Sequence, residues 1–176
     1  RASAKLRERI APYVYGEGDA DLAETVIKLC RQLRLTIAVA ESCTGGMLGQ
    51  RLTAVAGSSD VFLGGIIAYD NGVKEAHLDV PHDTIATHGA VSTETASAMA
   101  AGVRRRLGAS LGISITGIAG PGGGTPEKPV GTVCVAIDGD GVTTAKSLRL
   151  IGDREEVRQR SAQSALNLVR CALQPV

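Results

Sequence analysis

The sequence predicts a mixed α/β domain in which helices cover both faces of a sheet. Apolar, strand-like runs alternate with helical periodicity along the first part of the chain, and two consecutive strand-like runs follow as a hairpin. The chain has 176 residues, 44% of them hydrophobic, which suits one domain with one core. We therefore expect a sheet with both parallel and antiparallel strands.

Composition argues against several classes of protein. The net charge of +1 does not favour binding to DNA or to a membrane surface, and aromatic residues, on which a single-strand nucleic-acid groove stacks bases, make up only 2%. We expect neither a signal peptide nor a membrane span, since no apolar run is long enough to cross a bilayer. Four separated cysteines without a CxxC pair are typical of a reduced, cytoplasmic protein. We expect no direct nucleic-acid or membrane partner.

The first elements lead to a polar turn. Apolar residues recur at helical spacing over 21–34, after an Asp21 that resembles a capping box with Glu24. The apolar run 36–40 predicts a buried strand, and helical periodicity resumes at Met47.

A second strand is predicted over 61–69, where the pair Gly64-Gly65 is typical of a bulge or of a close backbone approach. Short helical segments follow over 73–79 and 82–87. The later elements are a helix from Ser92 to Leu107, a strand over 111–116, a hairpin of strands 130–137 and 142–150, and a last helix capped by Asp153 and Glu156.

Ser42 lies at the first strand-to-helix turn, where ligands bind in open α/β sheets. A serine nucleophile needs a base, and the unpaired N–H groups of a first helical turn, near Thr44, Gly45 and Gly46, can stabilise an oxyanion. Two alternatives compete with this interpretation. Ser42 or Thr44 could only cap the helix, and the adjacent Cys43 could be the nucleophile instead.

Tyr69 and Lys74 follow the second strand and are the candidate base segment. Lysine acts as a base when desolvation or a neighbouring cation lowers its pKa. The alternatives are an ordinary solvated lysine and a packed aromatic ring. Asp70 lies four residues before Lys74 and could pair with it, which would keep the amine charged.

A glycine-rich loop over 117–129 resembles an anion cradle, in which backbone N–H groups and Lys128 would hold a phosphate. It matches neither the P-loop nor the dinucleotide pattern. A flexible surface loop is the alternative, although three prolines stiffen this one.

Two further features point away from function. His77, His82 and His88 lack the spacing of a metal-binding helix motif, so we expect surface histidines. The run Arg104-Arg105-Arg106 is interpreted as the solvated face of a helix.

Five motifs in order resemble one known family: AESCTGG at 40–46, GSSDVFLGGIIAY at 57–69, HGAVS at 88–92, TGIAGPGGGTPEKPVGT at 116–132 and GDREEVR at 152–158. Over about residues 20–173 the chain resembles the C-terminal amidohydrolase domain of the CinA family, which also occurs as the stand-alone enzyme PncC. This resemblance implies a three-layer α/β/α sandwich with a mixed sheet.

The same resemblance implies a hydrolase that acts on a carboxamide C–N bond. Nicotinamide mononucleotide (NMN) and water would give nicotinate mononucleotide and ammonia, a step in pyridine-nucleotide salvage, without metal or cofactor. Ser42 would be the nucleophile, with Tyr69 and Lys74 as catalytic partners. The family motif is close to Tyr-Ser-Asn-Glu-x-Lys, from which Asp70 and Gly72 depart. The predicted substrate-binding residues are Thr44, Gly45, Gly46, Thr116, Gly117, Gly120, Gly122 and Lys128.

Organisation and partners follow from the same resemblance. Residues 1–19 are expected to be a linker or tail from a preceding N-terminal CinA domain, residues 20–176 are the amidohydrolase domain, and a homo-oligomer is expected. An alternative function is a non-catalytic nucleotide-binding or assembly module of a competence/damage-inducible protein. Another enzyme, acting on a different carboxamide, is a nearer alternative.

Overall fold

A five-stranded mixed sheet, in the order β2-β1-β3-β4-β5, runs through the middle of the protein. The computed structural model describes residues 14–15 and 20–174. The strands are β1 (Ile37–Glu41), β2 (Phe62–Ile67), β3 (Leu111–Gly117), β4 (Thr132–Gly139) and β5 (Val142–Arg149). The predicted linker over 1–19 lies outside the described residues except for positions 14 and 15, so the boundary at residue 20 stays a prediction.

Six α-helices and one 3₁₀ turn (Ser58–Asp60) complete the described elements. The helices are α1 (Leu22–Leu33), α2 (Met47–Thr53), α3 (Asn71–Leu78), α4 (His82–His88), α5 (Thr93–Leu107) and α6 (Arg154–Leu173). Apolar clusters pack α1, α2 and α6 on one face of the sheet and α3, α4 and α5 on the other. The predicted three-layer α/β/α class with a mixed sheet is confirmed.

The central strand β1 pairs in parallel with both β2 and β3, whereas β4 and β5 are antiparallel. The carboxyl ends of three parallel strands therefore meet at one edge of the sheet. The segments that leave this edge are 42–46, 68–70 and 118–131, and each overlaps one of the segments that the sequence singles out.

The predicted glycine bulge in β2 is confirmed. Ile37 pairs with Phe62 and Ala38 with Gly64, so Leu63 is the extra residue. Opposite β1, a Cβ on Gly65 would lie 2.5 Å from Val39 Cγ2, which only glycine avoids.

Helix caps agree with the sequence except in one detail. Asp153 and Glu156 form the complete capping box of α6. Asp21 caps α1 by accepting from Ala23 N–H at 2.6 Å, but in the described part of the chain Glu24 makes no return bond to it. The α1 cap is therefore a one-way bond rather than the expected box.

The arginine run is not simply a solvated face. Arg104 lies 2.6 Å from Asp138 and 3.2 Å from Asp140, which are at the end of the β4–β5 hairpin. Arg106 lies 2.6 Å from Asp79, just after α3. The run therefore links α5 to its neighbours. In the ranges that the structure describes, no helix combines the length and apolar character needed to cross a bilayer.

Helix α3 packs directly on α5 at Gly102. A Cβ at this position would lie 1.8 Å from the backbone oxygen of Leu78, at the last turn of α3. The backbone of α3, the helix that carries Lys74, therefore contacts the backbone of α5 directly at this position.

We expect Gly102→Ala to lower the free energy of unfolding by about 3 kcal/mol, because the added methyl group must push α3 away. Urea denaturation measures this. Gly122→Ala is the matched control, since a Cβ there meets nothing within 4 Å. Equal stability of the two variants would contradict the close contact.

Candidate functional site

Ser42 continues the β1 ladder by one residue, because its N–H donates to Ile115 O at 2.9 Å. Side chains alternate across a strand. Ala38 and Ala40 pack with the apolar cluster on the α3–α5 side. Two residues further on, Ser42 lies on that same side. It is buried, and its hydroxyl makes no hydrogen bond with any described residue.

Neither Ser42 nor Thr44 caps helix α2. The N-cap residue is Gly46, at φ 101°, and it has no side-chain cap bond. The carboxylate of Glu41 occupies the helix start instead. It accepts from the N–H groups of Gly46 at 3.1 Å, Leu48 at 3.0 Å and Gly49 at 2.8 Å. The capping alternative for the two hydroxyl residues is therefore wrong.

Two predicted oxyanion donors are engaged elsewhere. Gly46 N–H binds Glu41, and Gly45 N–H donates to Ser42 O at 3.1 Å. The expectation that these two amides serve an oxyanion is corrected, since each already has an acceptor. In the described part of the chain Thr44 N–H has no acceptor, and the fully buried Thr44 hydroxyl has no hydrogen-bond partner.

Lys74 is not a solvated lysine, because only 1% of it is exposed. Its Nζ donates to Tyr69 O at 3.0 Å and to Asp70 O at 3.4 Å, beneath the turn that leaves β2. Burial lowers the pKa of the Lys74 amine, while the charge of Asp70 opposes this. Helix α3, which carries Lys74, packs on the face of the sheet that contains Ala38, Ala40 and Ser42.

Asp70 does not form the expected ion pair. Its carboxylate caps α3 by accepting from Gly72 N–H at 2.7 Å. Only its backbone oxygen contacts the Lys74 amine. The departure from the family motif at Asp70 and Gly72 therefore provides a helix cap and leaves the amine without a direct carboxylate partner among the described residues.

Tyr69 is not a packed aromatic, because 62% of it is exposed at the site edge. Its backbone oxygen binds Lys74, and its hydroxyl accepts from Arg154 Nη2 at 3.2 Å. Arg154 Nη1 also donates to Gly120 O at 2.6 Å. Arg154 therefore links the β2 turn to the glycine-rich loop.

Cys43 points away from Ser42, into the cluster on the α6 side of the sheet. Its sulfur lies 3.1 Å from where a Cβ on Gly117 would stand. Burial raises the pKa of the Cys43 thiol to about 12, with Glu41 adding to the rise and Arg158 opposing it. A thiol held neutral is a weak nucleophile, so the geometry favours Ser42 over Cys43.

The glycine-rich loop is anchored at several points. Arg149 donates to Glu127 O at 2.9 Å, and Lys128 Nζ donates to His88 O at 2.6 Å. Thr116 is buried on the Ser42 side of the sheet, where its hydroxyl donates to Ala90 O at 2.7 Å. These hydrogen bonds fix the conformation of the loop, although residues 121–127 are exposed. Lys128 already has an acceptor outside the loop.

Two of the three histidines contact a carboxylate. His82 Nδ1 lies 3.0 Å from Glu75, and His88 Nδ1 lies 4.0 Å from Glu94. Within residues 14–15 and 20–174, no group of three His, Cys, Asp or Glu side chains gathers as metal ligands would.

A family model described as the CinA C-terminal domain matches residues 19–173. The chain belongs to the CinA family. A CinA-like protein from Gemmatimonas aurantiaca is 58% identical over 172 residues, which are 98% of this chain and 40% of the relative. A CinA-like protein from Kosmotoga olearia is 49% identical over 98% of this chain and 42% of its own length. The chain thus spans about two fifths of the length of these curated relatives.

Solved structures of the CinA family share the fold. The competence/damage inducible protein CihA from Agrobacterium tumefaciens superposes with a TM-score of 0.84 at 40% identity, over 87% of this chain and 94% of that one. A competence-damaged protein (CinA) superfamily protein from Escherichia coli gives 0.80 at 30% identity, over 92% and 96% of the two chains.

Sequence reasoning missed the parts that Glu41, Arg154 and Arg158 take in the site. Arg158 donates to Thr44 O at 2.9 Å, and Arg154 contacts Tyr69 and Gly120. Both arginines belong to the GDREEVR motif at 152–158, so the motif itself was the available signal. Their partners lie more than 30 positions away, which no local pattern reveals.

We expect the pKa of Lys74 to lie below 10.5 and to fall further in Asp70→Asn, because removing the negative charge disfavours the ammonium form. Asparagine keeps the helix cap. The ¹³Cε shift of Lys74, assigned with Lys74→Met and followed against pH, measures this. Glu75→Gln is the control, since the Glu75 carboxylate contacts His82 rather than Lys74. A rise in the Asp70→Asn protein would contradict the arrangement.

Proposed function

We propose that this domain hydrolyses the carboxamide of nicotinamide mononucleotide to nicotinate mononucleotide and ammonia. The observation that carries the proposal is the buried Lys74 amine, on the same side of the sheet as Ser42 and bonded only to carbonyl oxygens among the described residues. A serine with a nearby amine of lowered pKa is a recognised nucleophile and base pair. We choose nicotinamide mononucleotide as the substrate because the chain resembles PncC.

In the first half of the reaction, neutral Lys74 takes the hydroxyl proton of Ser42 as Oγ attacks the carboxamide carbon. Thr44 N–H and the unpartnered Thr44 hydroxyl are the donors that we assign to the resulting oxyanion. The C–N bond then breaks, and the leaving ammonia takes the proton from Lys74. The product of this half is an acyl ester on Ser42.

In the second half, water attacks the ester carbon and gives its proton to Lys74. The ester bond breaks, and the proton returns to Ser42 Oγ. Tyr69 supports both halves through its backbone oxygen, which positions the Lys74 amine. Its hydroxyl, bonded to Arg154, lies at the exposed edge where the substrate would enter.

The rim of the site supplies positive charge for the nucleotide phosphate. Arg154 is exposed beside Gly120, so its guanidinium can meet a phosphate that the N–H groups of Gly117, Gly120 and Gly122 also approach. Lys128 would contribute only by leaving His88 O. A cytoplasmic homo-oligomer, with an N-terminal CinA domain in the whole protein, completes the proposal.

We expect the protein to release ammonia from NMN, and Ser42→Ala to lower kcat by about 1000-fold or more, because the nucleophile is lost. Cys43→Ala is the matched control and should keep kcat within about threefold, since its thiol points into the core. Coupled ammonia detection with glutamine and free nicotinamide as parallel substrates measures both rates and specificity.

A greater loss in Cys43→Ala than in Ser42→Ala would assign the nucleophile to the cysteine. Release from glutamine or nicotinamide but not from NMN would indicate a different amidase. No release from any carboxamide, together with saturable binding of NMN by calorimetry, would support the non-catalytic nucleotide-binding module instead.

A further inference from the structure

Glu41 is a buried carboxylate at the end of the central strand, with only 1% of the residue exposed. It follows Ala40 and precedes Ser42, and its side chain points to the α2 side of the sheet. Its two oxygens accept three backbone N–H groups between 2.8 and 3.1 Å. None of the ion pairs in the described ranges includes it.

Helix α2 has no local side-chain cap. A serine, threonine or aspartate N-cap has extended backbone, whereas the N-cap residue Gly46 has φ 101°, where an L side chain would be strained. The chain draws instead on a carboxylate five residues earlier. The placement joins the end of β1 to the first turn of α2 across the loop that contains Ser42.

The loop between Glu41 and Gly46 is fixed at each end. Ser42 N–H is bonded to β3, and Gly45 N–H turns back to Ser42 O. Thr44 O accepts from Arg158 at 2.9 Å. The Glu41 side chain secures the far end of the loop, while its backbone oxygen accepts from Ala68 N–H at 2.8 Å at the end of β2. One residue thus sets the position of the loop relative to two strands and a helix.

We infer that Glu41 is a positioning residue for Ser42, an inference that rests on the function proposed above. Its carboxylate fixes the turn so that Ser42 stays on the Lys74 side of the sheet and Thr44 N–H stays available for the oxyanion. By occupying the amides of Gly46, Leu48 and Gly49, it also prevents the start of α2 from taking a substrate anion. The effect is on attack by the nucleophile, not on substrate binding.

The test is Glu41→Gln in the full chain. The glutamine amide would direct N–H groups at backbone N–H donors, so the turn must shift. A misplacement of about 1 Å costs about 100-fold in rate. We expect kcat for NMN to fall about 100-fold while KM changes less than threefold. Asp21→Asn, which changes the cap carboxylate of α1, should leave kcat unchanged.

A second readout does not depend on NMN. Phenylmethanesulfonyl fluoride sulfonylates an activated serine: Oγ bonds to sulfur, fluoride leaves, and the hydroxyl proton passes to the base and then to solvent. Intact-protein mass spectrometry gives the labelling rate, with Ser42→Ala as the blank. We expect slower labelling in Glu41→Gln by about the same factor as kcat. If the natural protein is labelled but releases no ammonia, the proposed function fails while this inference stands.

A lowered melting temperature with unchanged kcat and labelling rate, both measured well below the transition, would make Glu41 only a structural cap and overturn the inference. If Glu41→Gln does not fold, Glu41→Asp decides by the same readouts, because aspartate keeps the charge but is one methylene short. Failure of both variants to fold, or no labelling of the natural protein, also counts against the inference.

Discussion

The alternation of side chains along β1 is the constraint on which the site depends. Consecutive residues at the end of this strand project to opposite faces, so Glu41 meets α2 while Ser42 meets the layer that contains α3. A one-residue slip of the strand would exchange the two, placing the hydroxyl against the α2 amides and the carboxylate beside Lys74. Pairing with β2 and β3 on both sides makes such a slip costly.

Burial has opposite consequences for Cys43 and Lys74. Cys43 is intrinsically the better nucleophile, but its surroundings keep it protonated. A lysine amine is ordinarily protonated at neutral pH and therefore cannot accept another proton. The surroundings of Lys74 lower the pKa of its amine. Desolvation thus disfavours the charged form of both groups. It keeps the Cys43 thiol protonated and favours the neutral form of the Lys74 amine, the form that the proposed mechanism needs.

The fold was largely predictable because its signals are local. Ser92 caps α5, Gly64 and Gly65 mark the bulge, and Asp153 with Glu156 begin α6, each within a few residues of the element it defines. The site was only partly predictable. Proximity to the strand ends identified the candidate segments, and the ordered family motifs identified Ser42 and Lys74 as a pair.

The partners of these residues were not predictable in the same way. Asp70 could equally cap a helix or bind Lys74 on sequence grounds, and only the three-dimensional course of the chain decides between the two. The same holds for the Gly46 amide, which the sequence suggests as an oxyanion donor. Its acceptor, the Glu41 side chain, becomes apparent only in the folded chain.

The close seating of α3 on Gly102 has a consequence for how such a domain can diversify. In the proposed mechanism Ser42 lies at the edge of the sheet and Lys74 in the helix layer, where the backbone of α3 touches that of α5 at Gly102 without an intervening side chain. A new substrate preference of the proposed enzyme would therefore arise on the exposed rim, around 121–127 and Tyr69, where changes leave the contact between α3 and α5 intact. A designer who wants a different substrate on this scaffold would keep the contact between α3 and α5 unchanged and vary the exposed residues of the rim.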